Sequence, residues 1–232
     1  MPAQHIGRGI NQAMQASFGM EVFYSFVIIL CALLIYFGTR ELYKLTSHKG
    51  IKYFRLAFLF FAISYFFRAL IKCTLLVFDP RQIIHNIPPI FWSLNQMLFM
   101  YFSAMAVFYL LYSVLCKKLK SKKESLILLH ILAIVIAIVT PIFNNLFFSL
   151  IINLILLSFV AIVFIISHRD SKKKKKKSWF YLIYLLLFVF WILNIIDILI
   201  PTFLQTFQLI IYLASTTIFV FILYKVLRKT GN

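Results

Sequence analysis

Long apolar runs alternate along the chain with short polar segments, and each run has about the length of a membrane span. A helix needs about 20 apolar residues to cross the hydrocarbon core of a bilayer. The core offers no water to bond the backbone, so the spans are predicted to be α-helices. The pattern therefore predicts an all-α membrane protein, a bundle of seven transmembrane helices. The predicted spans are residues 20–39, 56–78, 90–115, 125–143, 146–167, 179–200 and 205–227.

Basic residues are concentrated between these spans, where they predict the topology. Twenty of the 24 Lys and Arg residues fall in four clusters, at positions 40–55, 117–123, 169–177 and 225–229. Because basic loops stay in the cytoplasm, the N-terminus is predicted outside and the C-terminus inside a multi-pass protein of the cell membrane. Residues 1–18 then form a short extracellular segment, and residues 19–229 form a single transmembrane domain. The predicted outer loops are 79–89, 144–145 and 201–204.

Composition and charge agree with this prediction. The chain is 63% hydrophobic with a mean hydropathy of +0.96 and a formal net charge of +18. Such a charge is typical of nucleic-acid binding, but here it lies between spans, where it contacts anionic lipid head groups instead. The predicted partners are thus the lipid bilayer and its head groups, not nucleic acid. Three cysteines, in or beside apolar runs, give no disulfide framework.

Arg68 is the most informative single residue, because it lies near the middle of the second span. It is ten residues from Phe78, which is about 15 Å along a helix. A central Arg costs roughly 2.5–3.5 kcal/mol to insert, so Arg68 is predicted to face other helices or water. Lys72 lies one turn further along the same face and could extend its ammonium group to the outer interface.

Two acids lie on the same predicted side of the membrane as Lys72. Asp197 is four residues before Pro201, and Asn194 lies one turn deeper on the same face. Asp197 is predicted to pair with Arg68 or Lys72, because their depths are compatible. Glu21 opens the first span and is predicted to be a solvated helix end.

Polar side chains gather in the outer halves of several spans, which predicts an outward-facing pocket. With two cations against one placed acid, the pocket should prefer a small anionic or zwitterionic molecule, since a cation in low dielectric attracts such a ligand strongly. The alternative is that these groups only form hydrogen bonds between helices. The predicted ligand-binding residues are Arg68, Lys72, Asn95, Gln96, Asn194, Asp197, Gln208 and Tyr212.

Several kinds of chemistry find no support in the sequence. A retinal protein needs a Lys midway along the seventh span, and residues 212–218 contain none. His48, His85 and His130 lack the spacing of metal ligands. A Gly-rich phosphate loop and a catalytic arrangement of side chains are also missing. The sequence therefore predicts a protein that is not an enzyme and has neither a cofactor nor a metal site.

The segment Thr39 to Arg55, which reads TRELYKLTSHKGIKYFR, carries a resemblance to known sequences. This segment and the helix after it resemble uncharacterised archaeal seven-helix membrane proteins over about the first third of the chain. The resemblance implies the same topology and implies no activity.

Three functions remain open. The first is a ligand-binding or sensory module that passes its signal through the basic loops to a membrane or cytoplasmic partner. The second is a small-solute transporter, for which a 3+1+3 arrangement of helices is allowed, and the third is an accessory membrane protein without a ligand. Transporters usually bind substrate where helices are broken by Gly or Pro. Only Gly19 and Gly38 touch a predicted span and prolines lie at span ends, which favours the sensory module.

Overall fold

The computed structural model describes residues 2–77, 88–116, 123–143, 145–173, 179–200 and 205–230. Within these ranges all regular secondary structure is helical, which confirms the predicted all-α class. The helices are α1 (Pro2–Thr46), α2 (Lys49–Val77), α3 (Pro89–Leu115), α4 (Lys123–Phe143), α5 (Leu146–Lys173), α6 (Trp179–Leu199) and α7 (Gln205–Thr230).

All seven described helices contain a stretch long and apolar enough to cross a membrane. The structure therefore has the helices that a multi-pass membrane protein requires. The predicted loops at 79–87, 117–122, 174–178 and 201–204 lie outside the described residues, as does Asn144.

The helices extend well beyond the predicted spans. Helix α1 already begins at Pro2, so residues 2–18 continue the first span as helix. The first basic cluster was predicted as a loop, and this is wrong: it occupies the end of α1 and the start of α2, joined only through Ser47 and His48. The physical reason is that Lys and Arg are good helix formers. Their side chains reach water from exposed helical turns, so apolar length does not mark where a helix ends.

A tight turn joins α1 to α2 and sets how closely α2 approaches α3. Ser47 adopts a positive φ of 47°, and the backbone N–H of Gly50 donates to His48 Nδ1 at 3.1 Å. A Cβ atom on Gly50 would lie 2.8 Å from the backbone oxygen of Ser113. Glycine at position 50 therefore permits the start of α2 to pack directly on the end of α3.

The predicted break between the fourth and fifth spans is confirmed by the helix ends on either side of it. Helix α4 ends at Phe143 and α5 begins at Leu146. The side-chain oxygen of Asn145 accepts a hydrogen bond from the backbone N–H of Phe147 at 3.1 Å. An Asn in this position satisfies an amide that the first helical turn leaves without an intrahelical partner, so Asn145 begins a separate helix.

Six helices form a closed ring around an aromatic interior. Neighbours pack in the order α1, α2, α3, α5, α6, α7 and back to α1, while α4 lies outside the ring, mainly against α3. Helices α2, α6 and α7 fill the middle of the ring with edge-to-face phenylalanines, such as Phe190 and Phe219 at 4.6 Å between centroids. This aromatic core consists of Phe54, Phe58, Phe61, Phe190 and Phe219.

The two ends of the ring differ in chemistry. The turn between α1 and α2 lies at one end, together with exposed residues such as Lys49, Lys52 and Arg228; we call it the basic end. The opposite end contains Glu21 on α1 and Arg68 on α2, and we call it the cluster end. Since the aromatic core lies between the two ends, polar groups at one end are separated from those at the other.

Candidate functional site

A largely buried cluster of four charged side chains, each between 9% and 27% exposed, occupies the cluster end. Arg68 pairs with Glu21 at 3.0 Å and with Asp197 at 2.9 Å, and Lys72 pairs with Glu21 at 2.8 Å. These residues come from α1, α2 and α6, so the ion pairs connect three helices of the ring. We call Glu21, Arg68, Lys72 and Asp197 the ion cluster.

Arg68 is the centre of this cluster. Its Nε donates to Glu21 Oε1 at 3.0 Å, its Nη2 donates to Asp197 Oδ2 at 2.9 Å, and its Nη1 lies 3.4 Å from Asn194 Oδ1. The prediction that Arg68 faces other helices is confirmed. The prediction that Asp197 pairs with Arg68 or Lys72 is also confirmed, with Arg68 as the partner.

The prediction for Glu21 is wrong. Its residue is only 7% exposed, and its carboxylate accepts from both cations rather than from solvent. The physical reason is that α1 starts at Pro2, so Glu21 lies inside a helix that packs along α2. The cluster therefore contains two acids and two bases. Its formal charge is zero, and the predicted excess of cations in the pocket does not exist.

Three tyrosines surround the cluster. The Tyr65 hydroxyl donates to Asn194 Oδ1 at 3.0 Å, and the hydroxyls of Tyr24 and Tyr65 are 3.2 Å apart. The rings of Tyr24 and Tyr212 stack at 4.7 Å between centroids. The Arg68 guanidinium carbon lies 5.8 Å and 5.7 Å from the ring centroids of Tyr24 and Tyr65, within the range of cation–π attraction. The aromatic rings thus cover the face of a buried cation.

A cavity of about 240 Å³ lies on one side of the ion cluster; we call it the Trp191 cavity. Among the residues that the structure describes, the buried indole nitrogen of Trp191 has no hydrogen-bond partner. Aromatic rings and the cluster form much of the wall, and α3, α4 and α5 contribute uncharged polar groups. These groups are Gln96, Ser103, Thr140, Ser149 and Asn153.

A second cavity of about 500 Å³ lies on another side of the cluster; we call it the Asp197 cavity. Its wall includes Asp197 of α6 together with Gln208 and Tyr212 of α7. Within the described part of the chain, Asp197 Oδ1 and Gln208 Oε1 are buried and accept no hydrogen bond. Both cavities have Glu21, Arg68 and Lys72 in their walls, so a molecule in either one meets the same ion cluster.

The single predicted pocket is therefore two cavities, and one predicted residue lines neither. Asn95 is buried, and its Nδ2 donates to the backbone oxygen of Phe67 at 3.0 Å. Successive helical residues differ by about 100° in direction, so Asn95 cannot share the orientation of Gln96, which does reach the Trp191 cavity. Each of the other predicted residues lines at least one cavity: Arg68, Lys72, Gln96, Asn194, Asp197, Gln208 and Tyr212.

Several further residues of the site have only weak signals in the sequence. Tyr24 lies three residues after Glu21 and Tyr65 three before Arg68, spacings that place side chains on one helical face. Trp191 lies three residues before Asn194 in the same way. Such spacing alone does not separate a site residue from ordinary packing, because nearly every apolar helix here carries aromatic residues at similar intervals.

His130 is a polar residue of α4 whose hydrogen bonds join two helices. Its two ring nitrogens lie 2.9 Å from the Tyr101 hydroxyl and 3.3 Å from the Tyr109 hydroxyl. These contacts hold α4 against α3, and neither helix contributes a residue to the ion cluster. Across the described ranges, no group of three or more His, Cys, Asp or Glu residues is placed to hold a metal ion.

The fold and site together define an all-helical protein suited to cross a membrane seven times, with a buried, charge-balanced ion cluster. The chain is 30% identical over 213 residues to an uncharacterized protein of Archaeoglobus fulgidus, covering 90% of this chain and 92% of the relative. It belongs to the same family as that archaeal protein. No family model matches the chain, and no solved structure matches it.

Proposed function

We propose that the protein is a multi-pass cell-membrane protein that binds a small zwitterionic solute at the ion cluster and acts as a ligand-sensing module. The observation that carries this proposal is a charge-balanced, buried cluster with a cavity on two of its sides. Unpaired polar atoms of Trp191, Asp197 and Gln208 border these cavities. They are three of the six buried side-chain polar atoms without a partner among the described residues.

Charge balance favours a zwitterion over a simple anion or cation. A site shielded from water penalises net charge, and the ion cluster is already neutral by formal count. A ligand with one positive and one negative group keeps that neutrality and offers each charged side chain an opposite partner. The Trp191 cavity, at about 240 Å³, is smaller than the 300–1,000 Å³ typical of sites for drug-sized ligands, and the Asp197 cavity, at about 500 Å³, lies in the lower half of that range. Both volumes favour a small solute.

The proposed solute class is tested by three related compounds with the same branched side chain and different net charge. Leucine is a zwitterion, 3-methylbutylamine is the corresponding cation without the carboxylate, and N-acetylleucine is the corresponding anion. We expect leucine to raise the thermal unfolding midpoint of the purified protein more than either relative at equal concentration and ionic strength, because ligand bound to the native state stabilises it. Equal shifts from all three compounds, or none, contradict the proposal.

The location of binding is tested in the same assay with two tryptophan variants. Trp191→Phe removes the indole N–H from its cavity, and Trp92→Phe is the matched control because Trp92 lines neither cavity. A hydrogen bond to a charged group contributes about 1.5–3 kcal/mol. The leucine affinity should therefore fall about tenfold or more in Trp191→Phe and stay unchanged in Trp92→Phe.

We further propose that the cluster end faces outward and the basic end faces the cytoplasm. Exposed cations at the basic end, such as Arg40, Lys44 and Arg228, fit contact with anionic head groups of the inner leaflet, and a protein partner that receives the signal would bind there. Single-cysteine variants of a cysteine-free protein test this orientation. A membrane-impermeant maleimide should label Ser93→Cys in intact cells and should leave Lys49→Cys unlabelled; the reverse result refutes the orientation.

A small-solute transporter is the second candidate, favoured by a cavity at the basic end. This cavity of about 370 Å³ is lined by Ser113, Asp170 and Tyr184 among others, and the aromatic core separates it from the two cavities of the cluster end. Cavities on both sides of a closed barrier are what alternating access requires. Uptake of radiolabelled leucine into proteoliposomes favours this candidate, whereas binding without uptake favours the sensory module.

A further inference from the structure

We propose that the Asp197 cavity is an ammonium subsite in which Asp197 Oδ1 and Gln208 Oε1 accept N–H bonds from a primary ammonium group of the ligand. This inference rests on the proposed binding of a zwitterion, since it assigns the positive end of that ligand to named atoms. It also makes Gln208, a residue outside the ion cluster, a determinant of specificity.

The ion cluster distributes its cations unevenly between its two acids. Glu21 Oε1 accepts from Arg68 and Glu21 Oε2 accepts from Lys72, so both of its oxygens are used. Asp197 uses only Oδ2, which shares the Arg68 Nη2 group with Glu21. Both carboxylate oxygens of Glu21 therefore accept from a cation, whereas one carboxylate oxygen of Asp197 has no donor among the described residues.

The open acceptor of Asp197 and a second open acceptor on the next helix belong to residues that line the same cavity. Gln208 is only 8% exposed and the Asp197 side chain is 9% exposed. Among the described residues, neither Asp197 Oδ1 nor Gln208 Oε1 has a donor. Buried polar atoms are nearly always hydrogen-bonded, so two such acceptors on one cavity indicate that a donor group belongs between α6 and α7.

A primary ammonium group suits these atoms better than a neutral donor. It carries three N–H donors and no acceptor, which suits Asp197 Oδ1 and Gln208 Oε1, two open acceptors of residues on the wall of this cavity. Its charge is opposite to that of the Asp197 carboxylate, and charge-assisted hydrogen bonds are the strong ones. A quaternary ammonium group has the same charge but no N–H, so it cannot satisfy the two acceptors.

This difference defines the experiment on the purified full-length protein. Binding of methylammonium chloride and tetramethylammonium chloride is measured by thermal shift against sodium chloride of equal ionic strength. We expect methylammonium to bind and tetramethylammonium to give no shift beyond that of sodium. A stabilisation that sodium produces equally well assigns the cavity to an inorganic monovalent cation and overturns the inference, as does equal binding of the two ammonium ions or the absence of methylammonium binding.

Variants of Gln208 identify the atoms involved. Gln208→Leu should weaken methylammonium binding at least about tenfold, as loss of one charge-assisted hydrogen bond implies, and Gln208→Glu should strengthen it. Gln96→Leu is the matched control, because Gln96 lines only the Trp191 cavity, and it should bind methylammonium like the unaltered protein. Asp197→Asn provides a second test if Gln208→Leu fails to fold. Unchanged affinity in a folded Gln208→Leu or Asp197→Asn variant overturns the inference.

The same variants separate this inference from the proposed function. If leucine binds but its affinity is unaffected by Gln208→Leu, the protein binds zwitterions and the ammonium subsite is wrong. If methylammonium follows the expected pattern and leucine gives no shift, the subsite stands and the zwitterion proposal is wrong.

Discussion

Arg68→Gln is expected to lower the thermal unfolding midpoint of the purified protein by about 10 °C. The substitution leaves Glu21 with Lys72 as its cation partner and removes the described cation partner of Asp197. Removal of one member of a buried ion pair typically costs about 3–5 kcal/mol, because the other charge stays buried without compensation. For a chain of this size, each kcal/mol corresponds to roughly 2–4 °C. The midpoint is measured by following intrinsic tryptophan fluorescence during heating.

Arg55→Gln is the matched control for this prediction. Arg55 lies on the same helix, donates to the backbone oxygen of Tyr36 at 3.2 Å and stacks over the Tyr36 ring at 4.8 Å, but it belongs to no described ion pair. Its replacement should therefore cost much less. In the double variant Arg68→Gln, Asp197→Asn, part of the stability should return, since the uncompensated charge is removed with its partner. Equal losses for Arg68→Gln and Arg55→Gln contradict a stabilising ion cluster.

Phe219→Ala is expected to destabilise the protein by about 3 kcal/mol. Phe219 is fully buried in the aromatic core, with Phe58, Phe61 and Phe190 around it at centroid distances of 6.3, 6.1 and 4.6 Å. Phe→Ala in a packed core costs about 3–5 kcal/mol through lost contacts and the cavity left behind. We expect the lower end of that range, because helices in lipid gain packing rather than hydrophobic transfer when they associate.

Phe221 supplies the control, since it lies two residues further along α7 and is 41% exposed on the outer surface of the helix bundle. Phe221→Ala should change the midpoint of thermal unfolding by little, because lipid contacts replace the lost ones. Phe219 lines neither cavity of the cluster end, so folded Phe219→Ala should still bind leucine at low temperature. An equal effect of the two substitutions contradicts the aromatic core as the centre of packing.

The pattern of apolar runs predicts the fold class because lipid leaves the backbone almost no alternative to helices. It predicts helix ends less well. Lys49 and Lys52 belong to α2 although they precede the apolar run, since a helix continues wherever its side chains can reach water. The order of helices around the ring, including the position of α4 outside it, depends on packing between helices and has no counterpart in the apolar pattern of a single helix.

For the site, the residues that the sequence predicts best are those whose burial demands a partner. A cation near the membrane midplane must meet polar groups, and this requirement, together with compatible depth, predicts that Asp197 pairs with Arg68 or Lys72. Glu21 lacked such a constraint, because an acid at the start of an apolar run can equally well be solvated. The division of the pocket into two cavities depends on how each helix is rotated about its axis. On α3, for example, this rotation turns Gln96 toward the Trp191 cavity and Asn95 toward α2, and the sequence does not predict it.

The most direct test of zwitterion binding at the ion cluster is an experimental structure of the protein with leucine at saturating concentration. Leucine should lie beside the ion cluster, with its ammonium nitrogen within about 3.2 Å of Asp197 Oδ1 and Gln208 Oε1 and with Arg68 near its carboxylate. A structure in which both cavities of the cluster end are closed or empty, or in which leucine binds elsewhere in the bundle, contradicts zwitterion binding at the ion cluster.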